Sequence, residues 1–483
     1  MHWLEIHSLT GSAGQLSLDV PHLRFHQGRT TCVIGRSGSG KSLFASALSG
    51  LPMPGLDVRG NITLDGQKQL LPLWKDHIFV LPQEPAVALD PTMPVGKQLA
   101  EIFQWRRDPK CTWATPLALA SQVGLNKEDL AKHPQQLSGG MQQRVMIAMA
   151  LAARASFVVA DEPTKGLDTE NKARMIDLFK MIQSTGRGLI VITHDLDVAG
   201  TLAGEVVVFD QGKVVEQGAA DQVLNTPQSD ATKTLIRSLP ANWRDHPSLK
   251  AKASETILTL ENVAFGFTHT APIITEASLD IRSGEIVGLY GPSGVGKSTL
   301  ADLCLGLHKP TSGLVNWLGE TVTQAVVRRC RPQFQKLFQN PVTSFPPNLI
   351  LGDVFDKLTP MSGGGSFSRS NLMDRLNIDE ALLRRRPDQV SGGELQRLAI
   401  VRVMLGHPKF LVCDEPSSRL DMSIQRLAID VITDYAAETN AAVLLISHDR
   451  GVLQKRANRV FELNASGVLS RLSLDDVTTT TYT

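Results

Sequence analysis

The chain has 483 residues, 42% of them hydrophobic, and a formal net charge of +1. That length accommodates two or three domains of about 100–200 residues, each able to bury a core. The near-neutral balance gives no bulk electrostatic reason to expect nucleic acid or an anionic membrane surface as a partner.

The opening "MHWLEIHSLTG" carries Glu5 and lacks a basic-then-apolar run, so no secretory signal is predicted. An apolar strand, "TTCVI" (30–34), leads into "GRSGSGKS" (35–42) and a helix-like "LFASALSGL" (43–51). The loop fits GxxxxGK[ST], in which glycines let backbone N–H groups turn inward around phosphate oxygens at a helix N-terminus. Gly35, Ser37, Gly38, Gly40, Lys41 and Ser42 are therefore candidate nucleotide-binding residues. Lys41 would reach the terminal phosphates and Ser42 would ligate Mg²⁺. "LPQEP" (81–85) supplies Gln83, a candidate to reach the metal. "LSGGMQQR" (137–144) places a serine and two glycines before a helical stretch.

The longest apolar run, "VMIAMALAARASFVVA" (145–160), is broken by Arg154 and falls short of the ~18 residues of a membrane span. It predicts a buried helix running into a buried strand. That strand, "SFVVADEP", ends in Asp161 and Glu162. Doubly wound sheets place ligand chemistry at such a carboxyl edge. Asp161 is the candidate Mg²⁺ ligand and Glu162 the residue to polarise an attacking water. A further apolar strand, "GLIVIT" (188–193), ends at His194, suited to a γ-phosphate contact. "GKVVEQG" (212–218) reads as a closing hairpin edge.

The same series then repeats. "GPSGVGKS" (291–298) lies 256 residues after the first loop, between "IVGLY" and "TLADLCLGL". "LFQNP" (337–341) follows at the same spacing from "LPQEP". "VSGGELQR" (390–397) and "LVCDEPSSRLD" (411–421) come 253 residues after their counterparts, and "VLLISHD" (443–449) 254 after "LIVITHD". Five motifs in one order mean a duplicated domain. The second set of candidates is Gly291, Ser293, Gly294, Gly296, Lys297, Ser298 and Thr299 for nucleotide. Ser298, Gln339 and Asp414 are the candidates for metal, and Glu415 and His448 for catalysis. The boundaries predicted are a first domain at 1–225, a linker at 226–255, a second domain at 256–475 and a polar tail at 476–483. The linker stretch 225–254 is polar, contains three prolines and reads as a short helix followed by linker. Another SGG, in "MSGGGSFSRS" (361–370), has no QxR helix after it and reads as a flexible glycine–serine loop. The five cysteines (Cys32, Cys111, Cys304, Cys330, Cys413) are scattered without CxxC pairs. No disulfide framework, zinc site or iron–sulfur site is expected, and the cytoplasm is the default compartment.

Phosphate loop, glutamine loop, SGG signature, Asp-Glu strand, "GLD" or "RLD" turn and histidine stand in the order of the ATP-binding cassette (ABC) ATPases, and the chain resembles that family over nearly all its length. The resemblance implies an α/β fold of two P-loop NTPase domains. Each would have a mostly parallel sheet core, an antiparallel β subdomain and a helical subdomain. It implies ATP and Mg²⁺ as cofactors and a head-to-tail pair of lobes. Ser391, Gly392 and Gly393 would cover ATP on Gly35–Ser42, and Ser138, Gly139 and Gly140 would cover ATP on Gly291–Ser298. Asp168 and Asp421 would touch the opposite site. Phe267, in "LENVAFGF", stands where the family stacks an aromatic on adenine, and "LEIHSLTG" in the first half offers none. Both glutamates and both histidines are present, so two hydrolytic sites are expected.

"QEPAVALDPTMPVGKQLAEIF" (83–103), "FQNPVTSFPPN" (338–348) and "NTPQSDATKTLIRSLP" (225–240) look like stretches of the ATPases of peptide and nickel importers, with two subunit types fused in order. The resemblance implies a peripheral protein on the cytoplasmic face of the inner membrane. Its partners would be two transmembrane permeases and, indirectly, an extracytoplasmic binding protein. The cargo would be a peptide, nickel or a metal–metallophore complex, a choice the ATPase sequence does not make. Tandem sugar-importer ATPases and soluble ribosome-associated tandem cassettes remain as alternatives. The former usually carry one degenerate site, and the latter a long charged helical linker.

Overall fold

The computed structural model describes residues 2–13, 16–36, 38–49, 57–68, 77–105, 108, 111–165, 167, 169–246, 255–268, 272–358, 366–418 and 420–473. The chain divides into two compact units between Arg237 and Ser238.

The first unit contains strands β1 (Trp3–Ala13), β2 (Leu16–His26), β3 (Thr30–Gly35), β4 (Asp57–Leu64), β5 (Gln67–Lys68), β6 (Ile78–Leu81), β7 (Phe157–Asp161), β8 (Gly188–Thr193), β9 (Glu205–Asp210) and β10 (Lys213–Ala219). They form one sheet in the order β5-β4-β1-β2-β10-β9-β3-β8-β7-β6. The run β9-β3-β8-β7-β6 is parallel, and β3 and β8 are buried along their whole length. Continuous β-branched apolar segments are what a sheet covered on both faces demands. The outer strands pair antiparallel except where β10 meets β2 in parallel, and β1 alternates, placing Leu4 and Ile6 in the core.

Because β8 lies between β3 and β7, three chain turns meet at one carboxyl edge. They are the glycine loop after β3, His194 after β8, and Glu162 after β7. A helical layer, with helices Val95–Trp105, Pro116–Gln122 and Gly139–Ala152, leads back to β7. The run 145–160 is the buried helix and buried strand expected of it: Val145–Ala152 and Phe157–Ala160 are all buried.

The second unit repeats the plan with strands β11 (Thr256–Phe265), β12 (Ile274–Arg282), β13 (Ile286–Tyr290), β14 (Ser312–Trp317), β15 (Glu320–Thr321), β16 (Phe334–Leu337), β17 (Phe410–Asp414), β18 (Ala442–Ile446), β19 (Arg459–Leu463) and β20 (Leu469–Leu472). Here the antiparallel sheet β12-β11-β14-β15 is separate from the sheet β16-β17-β18-β13-β19-β20. The parallel order β17-β18-β13 again collects the loop, the histidine and the acid pair at one edge.

The stretch between the repeats is mostly ordered. Helix Asp230–Arg237 belongs to the first unit, where Glu216 accepts from the N–H groups of Gln228 and Ser229 and from the Thr232 hydroxyl. Residues 238–246 belong to the second unit. Trp243 is buried in its core under the Arg456 guanidinium, 4.8 Å from the ring centre, and donates through Nε1 to the Ser238 carbonyl. His246 and Asp434 pair at 3.0 Å. Residues 247–254 and the tail after 473 lie outside the described residues. No helix among the described residues is long and apolar enough to cross a membrane.

Candidate nucleotide sites

In the first lobe, Gly35, Gly38 and Gly40 have φ of +157°, +76° and +96°. A Cβ on Gly35 would stand 2.3 Å from the Phe209 carbonyl oxygen, so no larger residue fits where the loop leaves the sheet. Gly38 faces open space and owes its glycine to its left-handed backbone. Ser37 lies outside the described residues. Lys41, buried at the start of helix Lys41–Ser49, folds back to donate to the carbonyls of Gly35 (2.8 Å) and Arg36 (2.9 Å). Ser42 is exposed one residue further on.

Asp161 ends β7 facing that helix. Its Oδ1 is buried and has no hydrogen-bond partner among the described residues. Burial first, and then the neighbouring Glu162 charge, push its carboxyl up to about 6 against the pull of Lys41, Lys165 and Ser42. Glu162 holds a left-handed backbone, φ +47°, and its N–H donates to the Ile192 carbonyl at 2.8 Å. Its Oε2 accepts from His194 Nδ1 at 2.7 Å. Burial works to raise the Glu162 carboxyl. The His194 bond and the charges of His194, Lys41 and Lys165 outweigh it and hold the group below its ordinary value. Gln83 is exposed and makes no hydrogen bond to this glutamate.

The second lobe reproduces the frame. Gly291, Gly294 and Gly296 have φ of +155°, +78° and +109°, and Lys297 donates to the carbonyls of Gly291 and Pro292, each at 2.8 Å. Ser293 and Ser298 are exposed beside it and Thr299 is half-buried. Glu415 repeats the left-handed turn at φ +50°. The surroundings differ in three ways. Gln339 Nε2 donates to Glu415 Oε2 at 2.9 Å. His448 Nδ1 stands 3.8 Å from Glu415 Oε1, an ion-pair separation too long for a hydrogen bond. Asp414 is buried against the ammonium of Lys336, 3.2 Å away. The Glu415 carboxylate, with Asp449, holds His448 above its ordinary value despite burial and the Lys297 charge. Burial works to raise Glu415, and His448, Lys297 and Gln339 hold it low.

Ser138 and Ser391 each cap a helix, accepting from the N–H of Met141 (3.3 Å) and Glu394 (3.4 Å). The Ser391 backbone N–H donates to Glu394 Oε2 at 3.0 Å, closing a capping box that Met141 cannot form in the first lobe. Gly139 and Gly140 are helical, and a Cβ on either would meet nothing within 4 Å. Gly392 and Gly393 open the second helix. The glutamines and arginines after the SGG elements have a use that the motif alone does not reveal. Gln143 and Gln396 donate to the carbonyls of Pro163 and Pro416, directly after each acid pair. Arg144 and Arg397 donate to the chain turns at Gly124 and at Leu376–Asn377. Each signature helix is thus tied to the acid-pair turn of its own lobe.

Phe267 is 67% exposed, edge-on to Phe265 and His308. Asp168 lies outside the described residues, and Asp421 caps helix Met422–Thr439, its Oδ1 accepting from Ile424 N–H. Of the glycine–serine loop, residues 361–365 lie outside the described residues, and Phe367 is buried edge-on to Tyr435. Away from these sites, donor atoms of Glu5, His7 and His22 lie within 4.8 Å of one another on β1 and β2. Arg24 already donates twice to Glu5 Oε1, which makes this group an ion cluster rather than a metal centre.

Two glycine loops, each with a buried lysine and a strand-end acid pair, define a duplicated P-loop ATPase. The sequence profile described as "ABC transporter" matches residues 18–165 and 274–418. The chain is 32% identical over 480 residues to a peptidoglycan transport ATP-binding protein, YejF, of Agrobacterium fabrum, covering 92% of this chain and 87% of that one. It is 31% identical to the glutathione import ATP-binding protein GsiA of Pectobacterium atrosepticum, with 92% and 82% covered. It is 30% identical to GsiA of Escherichia coli K12, with 90% and 79% covered. Among solved structures, an RNase-L inhibitor matches with a TM-score of 0.66 at 21% identity, over 95% of this chain and 87% of the other. An archaeal ribosome recycling factor matches with 0.67 at 22%, over 95% and 86%. At those identities the structural likeness establishes the fold alone. The chain belongs to the ABC transporter family and is an ATP-binding ATPase.

Proposed function

We propose that this chain is the ATPase subunit of an importer for a peptide or peptide-like solute, including metal–metallophore complexes, and that both lobes hydrolyse ATP. The observation that carries the two-site reading is the repeated glutamate on a left-handed turn, ionised and held by a histidine partner, in each lobe. The backbone strain at Glu162 and Glu415 sets each carboxylate at the sheet edge beside the loop lysine. There it accepts a proton from water attacking the γ-phosphate. His194 and His448 hold that carboxylate and contact the phosphate. Lys41 and Lys297 exchange their loop carbonyls for phosphate oxygens.

The buried, partnerless Oδ1 of Asp161, beside the Ser42 hydroxyl, is the kind of hard-oxygen set that suits Mg²⁺. Ser42, Gln83 and Asp161 would hold the ion in the first site, and Ser298, Gln339 and Asp414 in the second. Bound there, Mg²⁺ would supply charge neutralisation on the phosphates.

Gly139 and Gly140 cost helix stability and fill no space in their own lobe. This supports a face that must be approached closely by phosphate. Exposed apolar residues lie in the segments between Gln83 or Gln339 and the signatures: Val87, Trp105 and Leu117 in the first lobe, Val342 and Ile350 in the second. Such surface suits membrane permeases as partners. The glutathione-import role of the GsiA relatives supports import. Co-purification with two permeases, followed by solute-stimulated ATP hydrolysis in proteoliposomes, tests the reading; isolation with ribosomes instead would overturn it.

A further inference from the structure

Lys336 is a lysine in a four-residue strand between two sheet-core positions, and its side chain is 8% exposed. Its ammonium lies 2.9 Å from Asp302 Oδ1 and 3.2 Å from Asp414 Oδ2. Register identifies its counterpart in the first lobe. Lys336 pairs with Val412 as Val80 pairs with Val159, so an apolar residue stands where the second lobe has a cation. Asp302, five residues after Lys297, corresponds to Ser46, five after Lys41. The two metal-site aspartates therefore face different electrostatics. Asp161 keeps a buried oxygen without a partner, whereas Asp414 is in an ion pair. Asp302 balances Lys336 in net charge, but it is Lys336 that touches Asp414.

We infer that Lys336 makes the two nucleotide sites unequal, holding Asp414 as an ion pair so that the second site takes its divalent cation more weakly than the first. The inference rests on the proposed function of both loops. A unit charge within a few ångströms, at the effective dielectric of protein sites, changes cation affinity by about tenfold or more. Lys336 is a positioning residue: it acts on the metal through Asp414.

The experiment is Mn²⁺ titration of the full chain with a non-hydrolysable ATP analogue, read by the loss of the free Mn²⁺ paramagnetic resonance signal. Wild-type protein shows two nucleotide-dependent classes about tenfold apart. Asp302→Ser with Lys336→Val gives the second lobe the pair that the first carries, and merges the classes at the tighter value. Ser46→Asp with Val80→Lys does the converse and merges them at the weaker value. Lys336→Arg, which keeps the charge, preserves both classes. Two equal classes in the wild type, or unequal classes unmoved by either exchange, overturn the inference while leaving the functional reading standing. Absence of nucleotide-dependent Mn²⁺ binding would overturn that reading as well. Melting curves for each variant establish that the protein tested is folded.

Discussion

His194 bonds Glu162 at 2.7 Å, whereas its counterpart His448 stands 3.8 Å from Glu415, whose second oxygen is taken by Gln339. The same two residue types thus meet in two arrangements, one direct and one completed by the glutamine loop. His194→Ala removes the bond that holds the first carboxylate. ATP turnover should fall by about 10²-fold or more, the usual scale for groups that position a proton acceptor. Nucleotide affinity should change little. His448→Ala leaves Glu415 with its Gln339 bond, so the double variant His448→Ala/Gln339→Ala should lose more than either single one. Phosphate release beside fluorescent-nucleotide binding checks both points.

The glycine pair offers a test in which stability and activity part company. Gly139 sits in the first turn of a helix with nothing near its missing side chain. Gly139→Ala should stabilise the first unit by about 0.5 kcal/mol, because a helical glycine costs backbone entropy. If the face serves phosphate, the same change should depress ATP turnover. Thermal unfolding and ATPase assays on one preparation measure both. A variant that is more stable and fully active would remove the phosphate-facing role.

Acid stability follows from Glu5. Its carboxyl is held down to about 2 by His22 first and then Arg24. A depressed folded-state value means that the stabilisation is complete above the unfolded value of about 4.5 and is lost as pH falls toward 2. Glu5→Gln should therefore flatten the stability–pH curve in that window and leave it little changed in shape above pH 5. Chemical denaturation at a series of pH values checks this.

Trp243 tests where the second unit begins. It is 2% exposed and stacked under Arg456, in a stretch whose composition reads as linker. Trp243→Ala should destabilise the second unit by about 3–5 kcal/mol, the range for a buried aromatic, beyond anything a tether would show. Denaturant unfolding followed in each unit separately measures it.

Much of this architecture is legible in the sequence, for a definite reason. The loops, acid pairs and histidines owe their positions to short segments in which chain order dictates geometry: an apolar strand, then a turn, at a shared sheet edge. What escapes is set by tertiary contact between distant segments. Lys336 meets Asp302 and Asp414 only because a short strand and a helix flank the same aspartate. Trp243 is hidden in a polar, proline-containing stretch until the Arg456 helix covers it. Gln143 and Gln396 read as motif letters and turn out to bond the carbonyls beside the acid pairs. Glu394, by contrast, was readable, since a serine followed three residues later by glutamate is a capping-box pattern.

The most direct measurement of the central claim is ATP turnover by Glu162→Gln and by Glu415→Gln, each assembled with the proposed permeases. Both substitutions keep size and the left-handed turn while removing the proton acceptor. The account predicts a fall of about 10²-fold or more for each variant alone, with ATP still bound. Wild-type turnover from either single variant would contradict it.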